Sequence, residues 1–259
     1  MRSKQSQQNA GGVLYLIAVP IGHPDDITLR ALAILCDVDI IASENPAATG
    51  LLLSRHGINA TVTSYGPTGI DEKVSVLLAR LRQGARIALV SDCGSPVIAD
   101  PGSRLITSAH AQGIHVVSVP GPSALTAAIV ATGLSFDTML FLGQLPTTRA
   151  GIRHRLTVEQ TGRTTIVAFC TPDTLAPALD TIAAHTPRRR IALACDLTTP
   201  QEQIIQGTAV SVRRILNTIR PAQDITLILK GINHRRAKKK PGKHLSRDQS
   251  ASSRRINIR

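Results

Sequence analysis

The chain has 259 residues, 42% of them hydrophobic and 2% aromatic with no Trp, which suffices for one large or two medium α/β domains cored by Ala, Val, Ile and Leu. Its formal net charge of +13 points to a polyanionic partner. No apolar run approaches the roughly 18 residues of a membrane span, and Cys36, Cys93, Cys170 and Cys195 lack metal-ligand or CxxC spacing, so zinc and disulfides are disfavoured and a soluble, cytoplasmic protein is expected.

Residues 1–12 are polar and Gly-ended and read as a disordered leader. A first α/β lobe is expected over 13–133. Its opening run, VLYLIAV, is apolar throughout and reads as a central strand, ending in Pro20-Ile21-Gly22-His23-Pro24. A helix follows over 27–36, with Asp25 or Asp26 as N-cap. The loop is not a G-x-G-x-x-G fingerprint, and no Walker A sequence occurs anywhere, which argues against nicotinamide and P-loop chemistry. His23 reads as a solvated loop residue rather than a base.

Further strands are expected at 38–42 and 61–64, with a short helix to Arg55 after Glu44-Asn45-Pro46 and a helix over 71–82 stopped by Gly84. Two more β-branched runs, 87–90 and 114–119, each end in a loop of Gly, Pro and Ser that leads into a helical pattern. Alternation through five units predicts a parallel sheet with right-handed crossovers. Loops beyond the carboxyl ends of such strands are where open α/β sheets bind ligands. Gly94, Gly102 and Gly121 would let backbone approach a ligand, although Gly and Pro also punctuate ordinary βα connections.

A second α/β lobe with a mixed sheet is expected over 134–231. It opens with a strand at 139–143 and a basic helix over 147–160 carrying Arg149, Arg153, His154 and Arg155. Strands follow at 164–170, 190–196, 203–207 and 225–230, with helices over 175–185 and 210–219. Residues 232–259 read as a basic disordered tail that includes Arg235, Arg236, Lys238, Lys239 and Lys240. From residue 235 onward it holds ten Lys/Arg and one Asp, a net +9 of the chain's +13. Two readings of it stand side by side, an RNA-binding arm and a solubilising tail.

Three stretches taken together carry a resemblance: LYLIAVPIGHPDDITLRALAIL, ALVSDCGSPVIADPGSRLI and VVSVPGPSALTAAIVATGL. In this order they resemble the ribosomal RNA small subunit methyltransferase I family of the tetrapyrrole methylase superfamily, over roughly 13–231, densely as far as Gly143 and thinly beyond. The resemblance implies a two-lobed α/β fold with S-adenosylmethionine held between the lobes. It also implies a homodimer and methyl transfer to the ribose 2′-hydroxyl of a cytidine in small-subunit rRNA.

Carried over by the resemblance, the cofactor loops are Pro20, Ile21 and Gly22, then Ser91, Asp92, Gly94, Ser95, Pro96 and Ile98, then Gly121, Pro122, Ser123 and Ala124. Phe169, Leu197 and Thr198 occupy matching strand ends in the second lobe. Asp92 has two readings, ligand contact and an Asx turn within its own loop. Among acids near strand ends, Glu44, Asp92 and Glu202, the first choice for a proton acceptor is Glu44. Arg149, Arg153, Arg155 and the basic tail are the expected RNA contacts.

The chain departs from the family's pattern at loops that would face substrate. Glu44-Asn45-Pro46-Ala47 stands where the family reads E-D-T-R, Cys170-Thr171-Pro172-Asp173-Thr174 where it reads E-S-P-H-R, and Cys195-Asp196-Leu197-Thr198 where it reads R-E-L-T. Cys93 replaces an Ala and reads as a small filler. These departures keep two alternatives open: a non-catalytic RNA- or ribosome-binding relative, and the same fold acting on another substrate such as a tetrapyrrole.

Overall fold

The computed structural model describes residues 11–134, 137–158 and 164–231. The first lobe is a five-stranded parallel sheet in the order β3-β2-β4-β1-β5, formed by β1 (Val13–Ile17), β2 (Ile40–Ser43), β3 (Val62–Ser64), β4 (Arg86–Val90) and β5 (His115–Val119). The register is continuous: Tyr15 lies opposite Ala88 on one side and Val117 on the other. Burial on both faces explains the unbroken apolar runs. β1 is an interior strand, between β4 and β5.

Helices cover both faces of this sheet. On one face α1 (Leu29–Leu35) and α2 (Pro46–Arg55) bury Ala31, Leu35 and Leu53 against Ile17, Ile41 and Val90. On the other, α3 (Ile70–Arg82) and α4 (Ser103–Ala111) bury Leu77, Leu81 and Leu105 against Leu14, Ile87 and Leu89. The N-cap of α1 is Thr28, whose side chain accepts from Ala31 N–H at 3.1 Å, rather than Asp25 or Asp26. Asp25 instead pairs with Arg55 at the far end of α2.

The second sheet has the order β6-β7-β10-β8-β9, with β6 (Met139–Gln144), β7 (Thr165–Cys170), β8 (Ile191–Cys195), β9 (Gln203–Gly207) and β10 (Ile225–Leu229). Its β6 and β7 run parallel and its other neighbours antiparallel, so the sheet is mixed. One face packs on α6 (Arg149–Val158), α7 (Pro172–His185) and α8 (Ala209–Leu216) through Ile152, Leu156, Leu179, Ile182 and Val212. α7 begins three residues before the expected start, because Thr171 and Thr174 form a reciprocal capping box with Pro172 in the first turn.

The other face of the second sheet is covered from the first lobe. α5 (Ala124–Thr132), which follows β5, packs on the second sheet, and Ala128 is fully buried in a cluster with Val167, Ala192, Ala194 and Ile228. The carboxyl end of the first sheet is thereby held against the second. No helix among the described residues is long and apolar enough to cross a membrane.

Candidate active site

The three Gly/Pro loops meet at the carboxyl ends of β1, β4 and β5. Val19 N–H donates to the Gly94 carbonyl at 2.9 Å and Gly94 N–H returns a bond to Val19 at 3.0 Å. This isolated bridge ties the first loop to the second. Ser91 is buried, and its hydroxyl donates to the Cys93 and Gly94 carbonyls at 3.3 and 3.2 Å. Gly94 sits at φ +72°, where glycine is favoured, but Val97 (φ 75°) and Ala99 (φ 66°) occupy the same region with a Cβ. Such residues cost about 1–3 kcal/mol each and persist only where the surroundings fix them.

The loop after β8 closes on the first. His23 N–H donates to Thr198 Oγ1 at 2.8 Å, and Thr198 N–H donates to the Glu202 carboxylate at 2.6 Å. A Cβ on Gly22 would lie 2.3 Å from the Leu197 carbonyl oxygen, so this contact between lobes requires glycine. A Cβ on Gly121 would come within 3.0 Å of the Ala18 side chain.

Between these loops and the second sheet lies a cavity of about 240 Å³. Ile21, Asp92, Gly94, Ser95, Ile98, Ser123, Ala124 and Phe169, all anticipated from the sequence, line it. Two further cavities adjoin it. One, about 480 Å³, shares Ile21 and Asp92 and includes Pro20, Gly22 and Ser91; the other, about 530 Å³, shares Ile21 and Ser123 and includes Gly121, Pro122 and Thr198. Pro96 and Leu197 line none of the three, and Leu197 is buried in the cluster under α5. Phe169 is held edge-on by Phe141, with ring centroids 5.0 Å apart.

The main cavity is acidic. Besides Asp92 it contains Asp100 and Asp224, neither anticipated. Burial pushes the Asp100 carboxyl up to about 6, the Glu44 and Asp92 charges push the same way, and Ser91 opposes them. Burial also raises Asp224, with Asp196 adding to it. Asp196, at φ +47°, accepts from the Gln223 and Asp224 N–H groups at 2.8 and 3.0 Å and so holds one wall. Asp100 has a readable signal, since it lies inside the SDCGSPVIADPG motif. Asp224 has none, because its role depends on a contact with a residue 28 positions away.

Glu44 lies beside these acids at the end of β2, and burial followed by the Asp92 charge raises its carboxyl. It lines none of the three cavities. Cys93 is open to solvent on one side, but desolvation against the cavity wall, followed by the Asp224, Asp92 and Asp100 charges, pushes its thiol up to about 11, which keeps it neutral. Arg149, Arg153 and Arg155 are exposed on α6, and Arg155 donates to the Leu142 carbonyl at 3.3 Å. Arg235, Arg236, Lys238, Lys239 and Lys240 lie outside the described residues.

Residues 13–212 match the family model described as Tetrapyrrole (Corrin/Porphyrin) Methylases. The chain is also 41% identical over 205 residues to a ribosomal RNA small subunit methyltransferase I of Escherichia coli O157:H7, covering 79% of this chain and 72% of the relative. It belongs to the ribosomal RNA small subunit methyltransferase I family of tetrapyrrole methylases. A family member from Thermotoga maritima is 33% identical over 222 residues, 85% of this chain and 99% of the relative. Two solved tetrapyrrole methyltransferases share the family's fold at 18% identity, each over 85% of this chain and 94% of its own. They are a cobalt precorrin-4 methyltransferase, with a TM-score of 0.64, and a uroporphyrin-III-C-methyltransferase from Thermus thermophilus, with a TM-score of 0.62.

Proposed function

We propose that this methyltransferase uses S-adenosylmethionine to methylate the ribose 2′-hydroxyl of a cytidine in small-subunit rRNA, acting as a cytoplasmic homodimer. The observation that carries the reading is the acidic cavity between the lobes, placed where the motif loops converge in a chain of net charge +13. Carboxylates gathered in one cavity favour a cationic ligand there.

The residues present fit S-adenosylmethionine, which when bound supplies an electrophilic methyl group on a positively charged sulfur. Asp92, Asp100 and Asp224 complement its sulfonium and ammonium charges, and Ile21, Ile98 and Phe169 offer apolar walls. Ser123 makes no side-chain cap to α5, so the first-turn N–H groups are open to a carboxylate. Of the acids near the strand ends, Asp92 lines the cavity and Glu44 does not, so Asp92 takes the acceptor's hydroxyl hydrogen and Glu44 acts through its charge on Asp92. The exposed α6 arginines and the basic tail supply phosphate contacts in place of the Arg and His positions that this chain lacks.

The deciding experiment pairs isothermal titration with S-adenosylmethionine and tritiated methyl transfer to undermethylated small subunits. Saturable binding with transfer, mapped to a ribose oxygen, is expected. Binding with no transfer to RNA but transfer to a tetrapyrrole would overturn the substrate, and absence of binding would overturn the enzyme.

A further inference from the structure

The 480 Å³ cavity occupies a distinct place in the topology. β1 and β4 are hydrogen-bonded neighbours, yet the helix after β1 packs on one face of the sheet and the helix after β4 on the other. The same divergence separates β2 from β4. Neighbouring strands whose connections leave in opposite directions open a crevice at their carboxyl ends, which is the favoured ligand position in open α/β sheets. The main cavity lies between lobes; this one lies in the crevice of the first sheet alone, between the β1 loop, α2 and the β4 loop.

We infer that this crevice seats the acceptor, a single unpaired ribonucleotide of the RNA, beside the cofactor cavity. The inference rests on the function proposed above and names the position of its second substrate. Three properties select that occupant. The walls are apolar, from Val19, Pro20, Ala48, Leu51 and Leu52, which suits the faces of one base. Ile21, Asp92 and Cys93 form a partition common to both cavities, so a ribose hydroxyl at Asp92 stands next to the cofactor space.

Arg55 closes the rim, and Asp25 fixes it by accepting from Nε at 3.0 Å and Nη2 at 3.3 Å, which leaves other guanidinium N–H groups for a phosphate. His56 Nε2 lies 3.2 Å from the Pro24 carbonyl oxygen and ties the same helix end to the β1 loop, so the crevice is held open from two sides.

The absence of Trp makes the test direct. Leu51 is 75% exposed at the mouth of the crevice, so Leu51→Trp places the chain's single indole there without disturbing the core. Titration of L51W with cytidine 5′-monophosphate is expected to quench its fluorescence saturably, and Ala48→Phe in the same background is expected to abolish the quenching by filling the crevice. In methyl transfer, Ala48→Phe alone should raise KM for small subunits at least tenfold while leaving the S-adenosylmethionine Kd within twofold. Unquenched L51W at millimolar nucleotide, or an unchanged KM in A48F, overturns the inference. Wild-type protein that binds no S-adenosylmethionine overturns the proposed function instead, and the L51W titration still reads the crevice.

Discussion

Among the carboxyls lining the cavity, Asp100 is the one whose titration its surroundings move into the range near neutrality. Its carboxyl is lifted from an ordinary 3.8 to about 6, chiefly by burial and then by the Glu44 charge. Because the folded value lies above the unfolded one, folding takes up a proton between those pH values. The associated stability is complete below about pH 3.8 and is lost as pH rises through 6. A cationic ligand reverses the preference, since it favours the carboxylate. S-adenosylmethionine is therefore expected to bind about tenfold more tightly at pH 7 than at pH 5, as one carboxyl titrates across pH 6. Titration calorimetry across that range should show the trend in the wild type, and Asp100→Asn should weaken binding at pH 7 and flatten the dependence. Asp224, raised for the same reason, contributes in the same direction.

At the scale of elements, α5 joins the motif loops to the second sheet. Ala128 is fully buried in the cluster that includes Ala192 and Ala194, and only small side chains allow that approach. Ala128→Leu inserts three heavy atoms into packed space and is expected to destabilise the fold by about 1–3 kcal/mol, read as a lower urea midpoint. S-adenosylmethionine binding should weaken in the same variant, because Ser123 and Ala124 at the start of α5 line the cavity. This packing also marks where the sequence stops being legible. The strands, the parallel first sheet and the loops at its carboxyl ends are readable, because apolar runs ending in Gly, Pro and Ser have a local cause. α5 is apolar on nearly every side, so its pattern announces a helix but not the sheet that it covers. The hold of Asp196 on Gln223 and Asp224, and the Thr198 bond with His23, join residues 27, 28 and 175 positions apart and have no local signature. The Thr28 cap escapes the sequence for a simpler reason, since Asp25 and Asp26 compete for the same role and Asp25 is drawn to Arg55.

Over the whole molecule, charge is unevenly placed. The cavity between the lobes concentrates carboxylates, whereas residues 235–259 carry +9 of the chain's +13. The two regions should therefore separate experimentally. Deleting residues 232–259 is expected to leave S-adenosylmethionine affinity unchanged, because the cavity is already lined on all sides named above by described residues that precede the deletion. RNA affinity should fall, and with it the steepness of its salt dependence. For single-stranded RNA each phosphate that the protein neutralises adds about 0.7 to the slope of log K against log salt, so if half of the ten basic side chains engage phosphates, their removal reduces it by roughly 3 to 4. Fluorescence anisotropy of a labelled rRNA fragment at several salt concentrations measures that slope directly. A slope that survives the deletion would move the phosphate contacts to Arg149, Arg153 and Arg155, whose helix follows the strand that ends at Gln144 in the cavity wall. In that case the tail is a solubilising segment and the RNA is held at the mouth of the site itself.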